Sequence, residues 1–510
     1  MLATVKSYGL NGIDGYLIKC EVDINRGLPG YDIVGLVGTA TKESKERVKS
    51  AIKNSGYKYP IEKITINLAP ADTKKDGPVY DLTIALGILS AMEQVKLDRL
   101  NKFIVLGELG LNGEVRKVNG VLPILISARQ QGYTRVIMPI ENCNEASFIE
   151  GMEIYGVGNL KEAVQFLNGE TSLEPVPYSD FDKIKRNKKN SLDFKYVRGQ
   201  AQAKRALEIA AAGGHNVIMI GPPGSGKTML AKCFPSILPD LTFEEALEVT
   251  KIHSIAGVLD SKEGIVTTRP IRSPHHTATT LSLTGGGRMA RPGEISLAHT
   301  GVLFLDEMPE YSRNSLETLR QPLEDDVITI TRVENAVEYP ANFTLIASMN
   351  PCPCGSYGSR DKECKCTPNA IKKYLNKLSG PLMDRIDIHI EVDSVTYEEL
   401  RSDELEEPSE SIKARVDKAR EIQTARYRDT GIHSNAKMND HLLKRYCKVS
   451  PESEVMLKVA FDKLNLSARA YSRILKVART IADLDGSEDI KDEHIIEAIS
   501  YRSLDSKYWG

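Results

Sequence analysis

No stretch of the chain approaches eighteen uninterrupted apolar residues, so a membrane-spanning helix is not expected. The first twenty residues, MLATVKSYGLNGIDGYLIKC, lack a charged segment followed by an apolar run. No signal peptide is read there, and a cytoplasmic location is the expectation. Excess charge of either sign is also missing: 67 basic residues face 69 acidic ones, a formal net charge of −2. Bulk charge therefore does not make the chain a polyanion binder, and any nucleic-acid surface has to be a local patch. No long internal repeat is evident. Cysteine is scarce, eight in 510 residues, yet four of the eight fall between 352 and 366.

At 510 residues, 41% apolar and 27% charged, the chain is globular in composition and too long for one ordinary core. About three domains is the expectation. Residues 1–168 alternate strand-like stretches (GYLIKCEVDI, KITINLAP) with helix-like ones (TKESKERVKSAIKNSGY, YDLTIALGILSAMEQ), an α+β unit. Residues 169–190 read as a linker, with LEPVPY followed by the basic run Lys183, Lys185, Arg186, Lys188 and Lys189, a solvated tether or a nucleic-acid contact. From 191 to 395, strand–loop–helix units recur around Gly-rich loops, the pattern of a parallel sheet with crossover helices. Residues 396–510 are helical in pattern; SARAYSRILKVARTIADL has helical apolar spacing with Arg469, Arg473 and Arg479 on the polar positions.

The strongest motif is NVIMIGPPGSGKTML. A β run, Val217 to Ile220, leads into Gly221, Pro222, Pro223, Gly224, Ser225, Gly226, Lys227 and Thr228, a full match to G-x-x-x-x-G-K-[ST], and a helical pattern follows. Such a loop curls backbone N–H groups round phosphates, with the helix N-terminus adding positive potential. Lys227 is then suited to the β- and γ-phosphates and Thr228 to Mg²⁺. GVLFLDEMPE is an apolar strand ending in Asp306 and Glu307. Asp306 fits Mg²⁺ coordination through water, and Glu307 fits the base that polarises an attacking water. FTLIASMN ends at Asn350, suited to orienting that water. Arg385, just before the apolar strand in MDRIDIHIEV, is either an ion-pair partner of Asp384 or Asp387 or a finger stabilising charge in a neighbouring subunit's site. Arg469 is a second candidate cation for the γ-phosphate. ATP hydrolysis with Mg²⁺ is the expected chemistry.

Cys352, Cys354, Cys364 and Cys366 form two C-x-C pairs separated by nine residues. Four thiolates can complete a tetrahedral zinc site with no open position, which makes the metal structural. The spacing is tighter than the usual C-x₂₋₄-C, and reversible disulfides or a metal-free loop stay open as alternatives. His275 and His276 in SPHHTATT have no acid or cysteine nearby in sequence and are assigned hydrogen-bonding structural roles.

Phosphate loop, Asp-Glu strand, Asn-ended strand, Arg before a strand and helical lid together resemble the AAA+ ATPases. IRSPHHTATTLSLTGGGRMARPGEISLAHTGVLFLDE, NPCPCGSYG, LSGPLMDRIDIH and LSARAYSRILKVARTIADL are similar to the ComM/YifB family of magnesium-chelatase-like AAA+ proteins, over essentially the whole chain. The resemblance implies a hexameric ring ATPase. It further implies a DNA helicase that promotes branch migration when incoming DNA recombines in natural transformation. By the same likeness Asn350 matches the sensor-1 position, Arg385 the arginine finger and Arg469 the sensor-2 arginine. The first domain resembles the proteolytic domain of Lon: APADTKKDGPVYDL parallels a Lon stretch reading P-K-D-G-P-S-A-G. Val79 stands where that family has its nucleophilic Ser, and Leu122 where it has its Lys. With neither hydroxyl nor amine there is no dyad to activate, and peptidase activity is not expected.

Two insertions are candidates for DNA. LTGGGRMARPGE carries Arg288 and Arg291, and VITITRVENAVEYPANF has the alternation of a hairpin with Arg332 near its tip. DNA tracking requires phosphate contacts on elements that ATP turnover moves. The expected partners are branched or junction DNA and further copies of the chain. The alternative is a chelatase-type ATPase that remodels a protein partner; no D-x-S-x-S metal-adhesion motif supports it.

Overall fold

The computed structural model describes residues 2–185, 192–287, 290–331, 336–358, 363–395, 406–464 and 466–509. Alternating side chains in Leu2–Asn11 and Asp14–Asn25 form an antiparallel pair, from Leu2 opposite Asp23 to Asn11 opposite Asp14. It lies inside a seven-stranded sheet ordered 30–34, 63–69, 14–25, 2–11, 104–105, 135–139 and 153–157. Because side chains alternate along a strand, the two faces feed two cores. Ala3, Val5, Ile18 and Val22 meet helix Asp81–Ala91 on one face, and Tyr8, Leu10 and Leu17 meet helix Val121–Gln130 on the other. Every residue of Asp81–Ala91 is buried, which explains a helix with no polar stripe. Asp81 at its start is held by Arg47 at 2.6 Å, and burial still pushes its carboxyl up to about 6.

The segment that follows stays on the protein. Val176 N donates to Ile154 O, and Phe181 fills a small core with Phe148, Leu241 and Ile265. Lys185 donates to Leu241 O at 3.1 Å, while Lys183 stays exposed. Arg186, Lys188 and Lys189 lie outside the described residues.

The second sheet is fully parallel, in the order 271–272, 302–305, 344–349, 217–220, 388–391. Inner strands 217–220 and 302–305 are buried along their whole length and 344–349 from Leu345 on, as expected of strands covered on both faces. Helix Phe243–Ala256, opened by a reciprocal cap between Thr242 and Glu245, docks this unit on the first. At that contact Gly120 N donates to Ser254 O, and Ser254 Oγ donates to the buried Glu145 at 2.8 Å. Two antiparallel hairpins leave the second sheet: 285–286 with 291–292, and 327–331 with 336–340.

From Ser409 on, the described elements are all helices, from Ser409–Arg426 to Leu504–Tyr508. Helix Ala468–Leu484, capped by Ser467, lies at the centre and shares one apolar core with strand Val217–Ile220. Arg479 is not on the polar face. It is buried, with Asp483 at 3.0 Å and the carbonyls of Ser487 and Glu488 taking its remaining donors. The last helix, Leu504–Tyr508, returns to strand Ile388–Glu391, where Lys507 and Tyr508 meet Glu391.

Core and lid are joined by a buried charge. Asp387 is fully enclosed, pairs with Arg473 of the lid and accepts from Asn216 N; His215 Nδ1 lies 3.6 Å away. Burial by itself would raise the Asp387 carboxyl. The Arg473 charge and then His215 outweigh it and hold the group well below the usual carboxylate range. Its stabilisation is therefore complete above the unfolded value of about 4 and is lost as pH falls below it. Arg473→Ala is expected to cost about 3–5 kcal/mol in urea unfolding at neutral pH. That deficit should shrink when the measurement is repeated below pH about 4; a deficit independent of pH would contradict the assignment.

Candidate nucleotide site

Strand Val217–Ile220 pairs with Thr344–Met349 on one side and Ile388–Glu391 on the other, Ile220 lying opposite Met349 and Glu391. The residues that follow these strands therefore gather at one edge. Gly221 N donates to Met349 O, and a Cβ on Gly221 would lie 2.1 Å from Val392 O, so only glycine fits between the strands. At Gly226 the backbone turns through φ +90° into helix Lys227–Cys233, a conformation costing other residues about 1–2 kcal/mol.

Lys227 folds back over this loop. Its ammonium donates to Gly221 O and Pro222 O, both at 2.7 Å, with Ser225 Oγ and Asn350 Oδ1 each at 3.4 Å. Burial lowers the amine to about 8, against the opposing charges of Asp306 and Glu307. Thr228 Oγ1 donates to Asp306 Oδ2 at 2.9 Å, and Ser348 Oγ donates to the other carboxylate oxygen. Ser348 also accepts from Glu307 N at 3.1 Å. Glu307 is exposed and sits at φ +51°, the left-handed region, where a non-glycine side chain is strained by about 1–3 kcal/mol. The structure thus brings Lys227, Thr228, Asp306, Glu307 and Asn350 to one edge. Ser348 was not anticipated; its trace in the sequence is a small polar residue inside the apolar run TLIASM.

Arg385 and Arg469 lie elsewhere. Arg385 precedes strand Ile388–Glu391, and its carbonyl accepts from Asn216, one residue before Val217. It is therefore at the opposite edge from Gly221, about 13 Å along a four-residue strand. The Arg385 side chain is buried, donates to Pro381 O and pairs with Glu324. Arg469 Nη2 approaches the other oxygen of Glu324 at 3.6 Å. Glu324 was not anticipated either, since nothing in its local sequence separates it from other surface acids. It stands at the base of hairpin 327–340, where Asp326, at φ +59°, pairs with Lys437 of the lid.

The two hairpins border a cleft of about 490 Å³ lined by Gly285, Gly286, Gly287, Thr329 and Thr331. Arg291 is exposed on the first hairpin, while Arg288 and Arg332 lie outside the described residues. His275 and His276 stack at 4.1 Å, and His275 Nδ1 is 2.9 Å from Thr277 Oγ1. In the first sheet unit Leu122 is buried in one apolar cluster with Val79 packed against it, where the Lon resemblance would put a Lys and a Ser.

The four cysteines follow Asn350. Cys352 is buried, Cys354 exposed, and Cys364 and Cys366 half-buried. Sγ separations are 3.4 Å (352–354), 3.7 Å (352–364) and 3.6 Å (354–364), and all four sulfurs lie within 4.8 Å of one another. A tetrahedral ion with Zn–S of about 2.3 Å would hold its sulfurs about 3.8 Å apart, so the donor set fits zinc in both number and size.

Residues 193–400 match the family described as magnesium chelatase, subunit ChlI. Residues 20–142 match a second described as subunit ChlI of Mg-chelatase, and residues 406–502 match the ChlI C-terminal family. The chain is 43% identical to the competence protein ComM of Haemophilus influenzae, over 99% of its own length and 98% of that protein. It is also 43% identical to the uncharacterized protein YifB of Escherichia coli, over 99% and 97%. A further stretch of 138 residues, 27% of this chain and 24% of the other, is 34% identical to Lon protease 2 of Bacillus subtilis. The chain belongs to the ComM/YifB family of magnesium-chelatase-like AAA+ ATPases, with a Lon-protease-like N-terminal region.

Proposed function

We propose that the chain is one subunit of a hexameric AAA+ motor that hydrolyses ATP to move on DNA, a branch migration helicase of recombination. The observation that carries this reading is a connection in the second sheet. Hairpin 285–292 leads into the strand ending at Asp306, and hairpin 327–340 leads into the strand ending at Asn350. Each candidate insertion for DNA is thus one strand away from a residue suited to the γ-phosphate chemistry. The exposed Arg291 beside the cleft, and the competence name of the Haemophilus relative, support DNA as the substrate.

In the chemistry, Lys227 leaves the loop carbonyls for the β- and γ-phosphate oxygens. Glu307 takes the proton of the attacking water, whose oxygen Asn350 orients toward phosphorus. Thr228 and Asp306 offer the oxygen ligands for Mg²⁺, which supplies charge neutralisation on the phosphates. Arg385, at the far edge of the sheet, serves the nucleotide of a neighbouring subunit, and Arg469, which shares Glu324 with it, is the second cationic sensor of the γ-phosphate. The four cysteines hold a structural Zn²⁺. Val79 and Leu122 give the first region no nucleophile or base, so an assembly or DNA-facing role is assigned to it. The second reading, remodelling of a protein partner, is favoured by the ChlI family match.

ATP turnover is expected to rise when forked or four-way DNA is added at fixed salt, and Lys227→Ala to abolish turnover and strand migration together. A protein that neither binds such DNA nor responds to it would end the helicase reading and leave the protein-remodelling one. Glu307→Gln should keep ATP binding while lowering turnover about 10²–10⁴-fold. Lys227→Ala and Arg385→Ala should each be inactive alone, yet mixing them should restore turnover, because an intact lysine then faces a neighbour's intact arginine. No recovery on mixing, with mixed rings verified, would place Arg385 outside the shared site.

A further inference from the structure

The cysteine cluster does more than follow the nucleotide site in sequence; it touches it. Cys352 is two residues beyond Asn350 and fully buried. The turn after it is tight: Gly355 N donates to Cys352 O at 3.0 Å, and Tyr357 N donates to Cys352 Sγ at 3.3 Å. Gly355 sits at φ +79°, with its α-carbon facing the phosphate loop. A Cβ there would lie 2.4 Å from Pro223 Cδ and 2.9 Å from Pro223 Cγ. The backbone just after the second cysteine is therefore packed directly on a ring of the phosphate loop.

The second cysteine pair anchors the other end. Cys366 is followed at once by Thr367, which caps helix Pro368–Leu375, and Tyr374 and Leu375 of that helix enter the core holding Leu305 and Met349. Tyr357 also meets the ring of Tyr508 from the C-terminal helix at 6.4 Å. A four-sulfur ligand set closed on one ion would clamp the loop between these anchors, with Gly355 pressed on Pro223. Four thiols without an ion have only weak contacts with one another to hold the same turn.

We propose that zinc at Cys352, Cys354, Cys364 and Cys366 controls nucleotide affinity by bracing the phosphate loop through the Gly355–Pro223 contact. This deepens the zinc reading given above and rests on it. Linkage makes the coupling reciprocal: if zinc tightens nucleotide binding, nucleotide must tighten zinc by the same factor.

The test uses the full-length protein and two ligands measured separately. Zinc is counted by mass spectrometry, and affinity for a fluorescent ADP analogue is read before and after zinc withdrawal by TPEN, with circular dichroism as the check on fold. One zinc per chain and an affinity at least tenfold weaker after withdrawal, recovered on adding zinc back, are expected. Transfer of zinc to a chromogenic chelator should slow when ADP is present. Gly355→Ala should keep its zinc, since all four thiolates remain, and still bind the analogue more weakly; this variant carries the test if the zinc-free protein unfolds. Absence of stoichiometric zinc would overturn the metal reading and the proposal together. Zinc present, with affinity unchanged by withdrawal and by Gly355→Ala, would overturn the coupling and leave the metal standing.

Discussion

Asn216, one residue before the central strand, uses every polar group it has to set the register of its neighbours. Its N–H donates to Asp387, its carbonyl accepts from Asp387 and Ile388, its side-chain amide donates to Arg385 O, and its side-chain oxygen accepts from Leu345 N. These bonds hold the starts of strands 217–220, 344–349 and 388–391 level. Since the strands are parallel and of similar rise, their ends are then level too, and Gly221, Asn350 and Val392 arrive together. A slip of one residue would turn each inward side chain to the opposite face and move Asn350 away from Lys227. The phosphate loop depends on a hydrogen-bond clamp at the other end of the sheet.

The same edge carries the charges that join core to lid. Asp387 and Arg385 are two residues apart, and Arg473, which pairs with Asp387, is one helical turn from Arg469, which shares Glu324 with Arg385. The buried pair fixes where the helix lies, and the more exposed contact with Glu324 follows from it. Exposed ion pairs contribute little to stability, about 0–1 kcal/mol, so the contact of Arg469 with Glu324 can be exchanged for another anion at small cost while the Asp387 pair cannot. Glu324 and Asp326 flank the base of a hairpin, so an exchange there is felt at the hairpin.

Much of the site was legible in the chain. The phosphate loop reads from Gly221 to Thr228 because its chemistry requires glycines, a lysine and a hydroxyl at set intervals along one strand–loop–helix unit. Asp306, Glu307 and Asn350 were legible because a polar residue ending a buried strand is unusual enough to need a reason. Ser348 and Glu324 were not, since one is an ordinary small residue and the other an ordinary surface acid until their partners are known. Arg479 misled the helical reading: its charge suggested the polar face, and Asp483, four residues along, lets it be buried.

What the sequence determined by itself was local: which loop can wrap phosphates, and which strands end in carboxylate or amide. Those properties lie within a few consecutive residues, where backbone geometry and side-chain chemistry leave few alternatives. Tertiary structure alone decided which groups share an edge. It put Arg385 and Arg469 on Glu324 and away from Lys227, and it laid Gly355 on Pro223 across 132 positions of sequence. Such contacts depend on strand order and register, which arise from packing and hydrogen bonds between distant segments and leave no pattern in either segment alone.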